Sequence, residues 1–139
     1  MPYEISTEVS FSAAHFIAGY PGDCARMHGH NWKVRVALRT GMTGQAGSQA
    51  IGRGQRTSGP ADLAYDFRTL RALMGEVAKA LDHTVLNDLA CFKGRNPTAE
   101  AIAEWFYGEM AGRLAEEPVS VARVEVWESP LNCAVYFKE

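Results

Sequence analysis

The sequence predicts an α+β domain in which a four-stranded antiparallel sheet is covered on one face by two helices. Two alternating segments open the chain, two segments of helical periodicity follow, and two alternating segments close it. This order leaves two sheet edges and one sheet face uncovered, and oligomerisation is an economical way to cover them. A length of 139 residues fits one domain spanning residues 1–139.

The first two strands are predicted at residues 3–15 and 28–40, where apolar and polar residues alternate. The apolar lines contain Tyr3, Ile5, Val9, Phe11 and Ala13 in the first strand, and Trp32, Val34, Val36 and Leu38 in the second. Residues 41–60 follow, with six glycines and almost no large apolar residue. We predict a flexible loop there, in which Arg53 and Arg56 are solvated charges or contacts for an anionic substrate.

The two helices are predicted from apolar residues at helical spacing and from residues suited to helix starts. Asp66 is the predicted N-cap of the first helix. The apolar positions of this helix are Phe67, Leu70, Leu73 or Met74, Val77 and Leu81. The second helix is predicted to begin with Pro97 at its first position and to end near Leu114. The last two strands are predicted at residues 119–128 and 133–137, joined by a turn.

Composition excludes several classes of protein. A net charge of -2 argues against nucleic acid as the main partner, because phosphate binding requires a basic surface. No apolar run approaches the ~20 residues that span a bilayer, and the N-terminus lacks the features of a signal peptide. We therefore expect a cytoplasmic protein. Three widely spaced cysteines predict free thiols, with Cys91 and Cys133 as structural residues.

Four polar residues stand at the ends of predicted buried faces. His15 ends the apolar line of the first strand, His28 and His30 begin that of the second, and Glu128 ends that of the third. If the first two strands are antiparallel neighbours, the three histidines converge at one end of one face. Zinc held by three histidines keeps an open position for water or substrate. A single histidine would be read as a satisfied core residue, but three on converging faces favour a metal site.

Cys24 lies four residues before His28 and has two candidate roles. As a fourth zinc ligand it would close the site, and the protein would be a binding module. As a nucleophile or base it would need a partner such as His83, whose neighbour Asp82 can stabilise a protonated imidazole. The pair Asp82-His83 is equally consistent with the end of a helix, where histidine is favourable. Spacing alone leaves these alternatives open.

Six short motifs occur in a fixed order along the chain. They are FSAAH with His15, CARMHGH with Cys24, His28 and His30, YDF with Asp66, LDHTVLN with Asp82 and His83, NPTAE with Thr98 and Glu100, and VWES with Glu128. In this set the sequence resembles the 6-pyruvoyl-tetrahydropterin synthase and 6-carboxy-tetrahydropterin synthase family, which has the tunnelling fold. The resemblance covers nearly the whole chain outside residues 41–60.

The resemblance implies a role for each matching residue. The ligands of a catalytic Zn²⁺ would be His15, His28 and His30. The proton-transfer triad would be Cys24, Asp82 and His83. Glu128 would anchor a pterin by accepting hydrogen bonds from its 2-amino group and the adjacent ring N–H, and Thr98 would be a lesser contact. The family is typically hexameric, a dimer of trimers whose sheets close into a barrel with sites between subunits.

The implied substrate is 7,8-dihydroneopterin triphosphate. The spacing Cys-x₃-His-Gly-His resembles the bacterial 6-carboxy-tetrahydropterin synthases of queuosine (7-deazaguanine) biosynthesis, whereas the animal-type pyruvoyl enzymes have a longer gap between cysteine and histidine. We therefore favour 6-carboxy-5,6,7,8-tetrahydropterin, acetaldehyde and triphosphate as products, with the pyruvoyl reaction as the alternative. The sequence departs from the family in a longer segment at residues 41–60 and in Ser129, where relatives often have threonine.

Overall fold

The computed structural model describes residues 3–40 and 62–139, so the predicted loop at 41–60, with Arg53 and Arg56, lies outside the described residues. The strands are β1 (Glu4–His15), β2 (His28–Thr40), β3 (Thr84–Val85), β4 (Val119–Trp127) and β5 (Cys133–Tyr136). The helices are α1 (Phe67–Lys79) and α2 (Ala99–Arg113). Within the described part of the chain, no helix is long and apolar enough to cross a membrane.

The sheet has the strand order β3-β1-β2-β4-β5. Every neighbouring pair is antiparallel except β3 and β1, which are parallel. The four long strands are those predicted, and the α+β class is confirmed. The fifth strand, β3, pairs Thr84 with Ala13 and Val85 with Ala14. Two residues are too few to carry a periodic signal, so the sequence could not predict this strand.

One face of the sheet is buried beneath both helices. α1 packs on β1, and α2 packs on β4 and β5. Alternate residues of β1 and β2 enter this layer, as the alternation of the sequence predicts. The largest fully buried side chains include Trp32, Leu38, Leu70, Met74, Ile102, Phe106 and Met110. The opposite face carries ion pairs such as Glu8–Arg35 at 2.6 Å and Glu4–Arg39 at 3.1 Å.

Each helix begins at a side chain that accepts a hydrogen bond from the first turn. Asp66 is the N-cap of α1, as predicted. Thr98 is the N-cap of α2, and its Oγ1 accepts from the Ala101 N–H at 3.1 Å. The prediction that Pro97 takes the first helical position is therefore wrong, because Pro97 precedes the cap. Phe67 also departs from the predicted buried side of α1, since it is 48% exposed.

A β-bulge in β4 changes which of its residues face the core. The pairs on either side of the bulge are Ala37–Arg123 and Leu38–Val121. Ala122 is therefore an extra residue that has no partner in β2. Val121 is buried before the bulge and Val124 is buried after it, so the buried parity switches between them. Glu128, just beyond the end of the strand, has the same parity as Val124 and therefore belongs to the same buried line.

Replacing Leu70 by alanine is expected to lower the free energy of unfolding by about 2–5 kcal/mol, because the side chain is fully buried and its loss leaves a cavity. Leu131→Ala is the matched control, since it removes the same atoms from a side chain that is 88% exposed. Its effect should stay within about 0.5 kcal/mol. Urea unfolding followed by circular dichroism measures both values, and equal effects would contradict the placement of Leu70 in the core.

Candidate functional site

Three histidines meet at one end of the buried sheet face. The register of β1 and β2 pairs His15 with His28 and Ala13 with His30. Side chains two residues apart on a strand point the same way, so all three imidazoles lie on one side. One ligand atom from each histidine lies within 4.8 Å of the others, and the ring centroids are 4.6–5.2 Å apart. The predicted convergence is confirmed, and the group can hold a metal ion.

Backbone carbonyls orient two of these imidazoles. The Nδ1–H of His15 donates to Pro97 O at 2.8 Å, and that of His28 donates to Arg26 O at 2.7 Å. Because a carbonyl only accepts, each ring carries its proton on Nδ1 and leaves a lone pair on Nε2. Within the described residues, the buried Nε2 atoms of His15 and His30 have no hydrogen-bond partner. Unpaired buried nitrogens are costly, so this arrangement fits a bound cation.

Burial favours the neutral form of two of the histidines, His15 and His30. Burial lowers the pKa of His15 from its ordinary value of 6.5, and the Pro97 carbonyl opposes that effect. Burial lowers the pKa of His30 in the same way, with Glu128 opposing it. The Glu128 carboxylate lies 4.0 Å from His15 Nε2 and 3.9 Å from His30 Nε2. Neutral imidazole is the form that binds a metal, and a nearby carboxylate can balance part of the metal's charge.

A cavity of about 370 Å³ lies beside Glu128, and its size is in the range of small-molecule sites. The predicted site residues that line it are Cys24, Thr98 and Glu128. Its lining also contains Tyr20, Glu100 and Asn132, to which sequence reasoning assigned no role. Glu100 stands inside the NPTAE motif, which was the available signal. Tyr20 and Asn132 lie in a loop and a turn, where no periodicity points to them.

Thr98 is a structural residue of α2 as well as part of the cavity. Its Oγ1 accepts the Ala101 N–H, which leaves the hydroxyl hydrogen free to donate to a ligand. The cap also fixes where α2 begins, so the positive end of the helix dipole lies at the cavity wall. Thr98 can therefore contact a ligand without giving up its role in the helix.

Asp82 and His83 lie apart from this cavity, in the segment between α1 and β3. Asp82 accepts from the Ser12 N–H at 2.9 Å and from the His83 Nδ1–H at 2.9 Å. These contacts lower the pKa of Asp82, with the Ser12 bond contributing most. The His83 side chain is 82% exposed and helps to line a separate depression with Asn31. Cys24 and His83 thus line different cavities, and their pairing stays a prediction.

The backbone is consistent with the alternative that Asp82 and His83 belong to a helix end, because a residue in the left-handed region commonly follows the last turn of a helix. α1 ends at Lys79, with Ala80 as its C-cap residue. His83 follows three residues later and has a φ angle of 59°, in the left-handed region that non-glycine residues seldom occupy. Its N–H donates to Ser12 O of β1 at 2.6 Å, while the Asp82 N–H donates to Ala78 O of α1 at 3.0 Å, so the pair joins the end of the helix to the sheet.

Cys24 is exposed and lies in a 3₁₀ turn, Asp23–Ala25, between β1 and β2. The preceding loop turns at Gly19 and Gly22, whose φ angles of 82° and 92° suit glycine. Among the described residues, the group of converging metal-ligand atoms contains the three histidines and does not include Cys24. This arrangement favours a cavity thiol over a fourth metal ligand.

The other two cysteines correct a prediction. Cys91 and Cys133 are both exposed, so the expectation that they are structural core residues is wrong. Cys133 begins the edge strand β5 and helps to line the cavity beside Glu128. Partial burial raises the pKa of Cys133. An apolar neighbourhood in sequence does not bury a residue on an edge strand, because one face of that strand remains open.

Together the sheet, the converging histidines and the adjoining cavity define an α+β protein with a candidate metal centre. A family model described as 6-pyruvoyl tetrahydropterin synthase matches residues 4–139. The chain therefore belongs to the 6-pyruvoyl tetrahydropterin synthase family.

Known proteins resemble the chain over nearly its whole length. The 6-carboxy-5,6,7,8-tetrahydropterin synthase of Synechocystis sp. is 33% identical over 135 residues, which cover 96% of this chain and 92% of that protein. A putative 6-carboxy-5,6,7,8-tetrahydropterin synthase of Archaeoglobus fulgidus is 34% identical over 125 residues, covering 90% and 87%. The structure of Caenorhabditis elegans 6-pyruvoyl tetrahydropterin synthase has a TM-score of 0.76 at 23% identity, covering 100% of this chain and 97% of that one. This likeness confirms the predicted tunnelling fold.

Proposed function

We propose that the protein converts 7,8-dihydroneopterin triphosphate and water to 6-carboxy-5,6,7,8-tetrahydropterin, acetaldehyde and triphosphate, with Zn²⁺ held by three histidines. The proposed ligands are His15, His28 and His30. One observation carries the proposal. The three histidines lie next to the carboxylate of Glu128, which lines the same cavity as the exposed thiol of Cys24. Family membership supports a pterin substrate, and the names of the two relatives described above support the carboxy product.

The residues of the cavity divide the chemistry among them. Zn²⁺, when bound, supplies Lewis acidity toward substrate oxygen atoms. Cys24 moves protons at the side-chain carbons of the substrate, because a thiolate in an accessible position is an effective base. Glu128 anchors the pterin, since its two oxygens can accept from the 2-amino group and the ring N–H together. Thr98 donates its free hydroxyl hydrogen as a lesser contact.

A second copy of the chain completes this proposal. The resemblance to the family implies a homohexamer, a dimer of trimers with sites between subunits. The separate positions of Cys24 and His83 support such an assembly, because a neighbouring copy can bring its own exposed Asp82–His83 pair to the thiol. Strands β3 and β5 form the two sheet edges, which pairing with another copy would cover. Queuosine biosynthesis is the pathway that the same resemblance suggests.

Two alternatives differ in their products. A 6-pyruvoyl-tetrahydropterin synthase would act on the same substrate and release triphosphate without acetaldehyde. A non-catalytic zinc-binding module would use Cys24 as a fourth ligand and would leave the pterin unchanged. The exclusion of Cys24 from the converging ligand group disfavours the second alternative.

The proposal is tested by incubating the zinc-loaded protein with 7,8-dihydroneopterin triphosphate under reducing conditions. We expect 6-carboxy-5,6,7,8-tetrahydropterin, with acetaldehyde and triphosphate released in equal amounts, identified by liquid chromatography and mass spectrometry. Protein stripped of metal by a chelator is the control. A pyruvoyl product without acetaldehyde would establish the alternative reaction, and unchanged substrate in the presence of bound zinc would end the enzyme proposal.

A further inference from the structure

Beyond the end of β1, two asparagine side chains bond the backbone on the side where β3 pairs with β1. Asn87 Oδ1 accepts from the Phe16 N–H at 2.9 Å, and its Nδ2 donates to Phe16 O at 2.9 Å. Asn96 makes the same two bonds with Ala18, both at 3.0 Å. A carboxamide carries the donor and the acceptor of a peptide group, so each side chain replaces one residue of a neighbouring strand.

The opposite side of the same segment is bonded to Cys24. In a strand-like chain, successive residues present their N–H and C=O groups to alternate sides. Phe16 and Ala18 turn theirs toward the asparagines, while the Ile17 N–H donates to Cys24 O at 2.7 Å. Residues 16–18 therefore link the asparagines on one side with the thiol-bearing residue on the other.

Burial does not hold this loop in place. Every residue from 18 to 27 is exposed, so the loop that carries Cys24 has little apolar packing against the core. Its position then depends on hydrogen bonds, and those at residues 16–18 are the ones that attach its start to the rest of the protein. Loops with few buried contacts open readily when such bonds are lost.

The segment that contains Asn96 also fixes other parts of the site. The next residue, Pro97, offers the carbonyl that orients His15, and Thr98 caps α2 at the cavity wall. Three consecutive residues thus hold the Cys24 loop, a metal-ligand histidine and a helix start in one arrangement. A shift at Asn96 would change the position of the thiol relative to both the metal site and Glu128.

We propose that Asn87 and Asn96 are positioning residues, which hold the Cys24 loop in register with the histidines. The claim that this matters for turnover rests on the proposed function of Cys24. Both carboxamides bond the backbone through oxygen and nitrogen alike, so they act through residues 16–18 and not on the substrate. The two LDHTVLN and NPTAE motifs therefore contain residues whose role is to place a third motif, CARMHGH.

The test uses Asn96→Asp in the full-length, zinc-loaded protein. Aspartate keeps the size and the acceptor but replaces the donor by an oxygen that faces Ala18 O. We expect kcat to fall roughly 10- to 100-fold, as for a catalytic group that is misplaced by about 1 Å. The KM should stay within about twofold, because the anchor of the pterin is unchanged. The bound zinc should also be unchanged.

Hydrogen exchange gives a second measurement that requires no substrate. The Ile17 amide, which bonds Cys24 and neither asparagine, is expected to exchange faster in Asn96→Asp than in the wild type. Asn87→Asp is the second variant, since it breaks the other amide pair and should act in the same direction. Arg95→Gln is the control, because Arg95 is adjacent in sequence but forms an exposed ion pair with Glu104 at 3.4 Å.

The outcomes separate this inference from the proposed function. Unchanged Ile17 exchange in both asparagine variants would overturn the positioning role, even if their melting temperatures fell. Faster exchange of the Ile17 amide with an unchanged kcat would also overturn it, because turnover would then not depend on how firmly the Cys24 loop is held. A wild-type protein that ignores the pterin would refute the proposed function, and the exchange rates alone would then decide whether the asparagines hold the loop.

Discussion

Cys24→Ala is expected to lower kcat by roughly 10²- to 10⁴-fold while the protein keeps its metal, because proton transfer by one positioned side chain contributes about that much. The thiol lines the cavity that also contains Glu128, and it stands outside the group of three histidines. Steady-state turnover of 7,8-dihydroneopterin triphosphate measures the first quantity. Metal content after dialysis, determined by mass spectrometry, measures the second.

The same variant distinguishes the enzyme from a zinc-binding module. If Cys24 were a fourth ligand, Cys24→Ala would weaken zinc binding, and the wild type would show no turnover to lose. Cys91→Ala is the matched control, because it removes another exposed thiol that does not line the cavity. It should leave both kcat and zinc content unchanged. A fall in zinc content confined to the Cys24 variant would favour the module.

The part of the site that could be predicted from sequence is the part governed by strand periodicity. Alternation places His15 on the buried face of β1 and His28 and His30 on that of β2, and antiparallel pairing of neighbouring strands is enough to bring them together. The prediction that Glu128 ends the buried line of β4 also agrees with the structure, but this agreement depends on where the bulge lies. The bulge at Ala122 lies earlier in β4, so the parity from Val124 onward was unaffected.

The remaining parts of the site depend on loops, where no periodic rule applies. The contacts of Asn87 and Asn96 join residues about 70 to 80 positions apart, and their geometry follows from the whole fold rather than from local spacing. Cys24 and His83 are separated for the same reason, because they lie in different loops. Cys24 is in the loop between β1 and β2, and His83 is in the segment between α1 and β3. Motif resemblance assigned both to one triad, but a single chain holds them in different cavities.

His30→Ala is expected to weaken zinc binding by roughly a hundredfold or more, since even changes in the residues that support a ligand cost 10- to 100-fold. The variant leaves two of the three converging nitrogen ligands, and one of them, His15 Nε2, stays buried without a hydrogen-bond partner in the described structure. His83→Ala is the matched control. It removes the same imidazole from a side chain that is 82% exposed and lies outside the converging group.

Two measurements decide this prediction. Competition with a chromophoric chelator gives the zinc affinity of each variant, and thermal unfolding with and without zinc gives the stabilisation that binding provides. A ligand present at 100 times its Kd stabilises the folded state by about 2.7 kcal/mol, so the wild type and His83→Ala should unfold at higher temperature with zinc. His30→Ala should lose most of that shift. Because the control keeps the histidine count equal, a similar loss in both variants would place the metal elsewhere and remove the basis for the proposed chemistry.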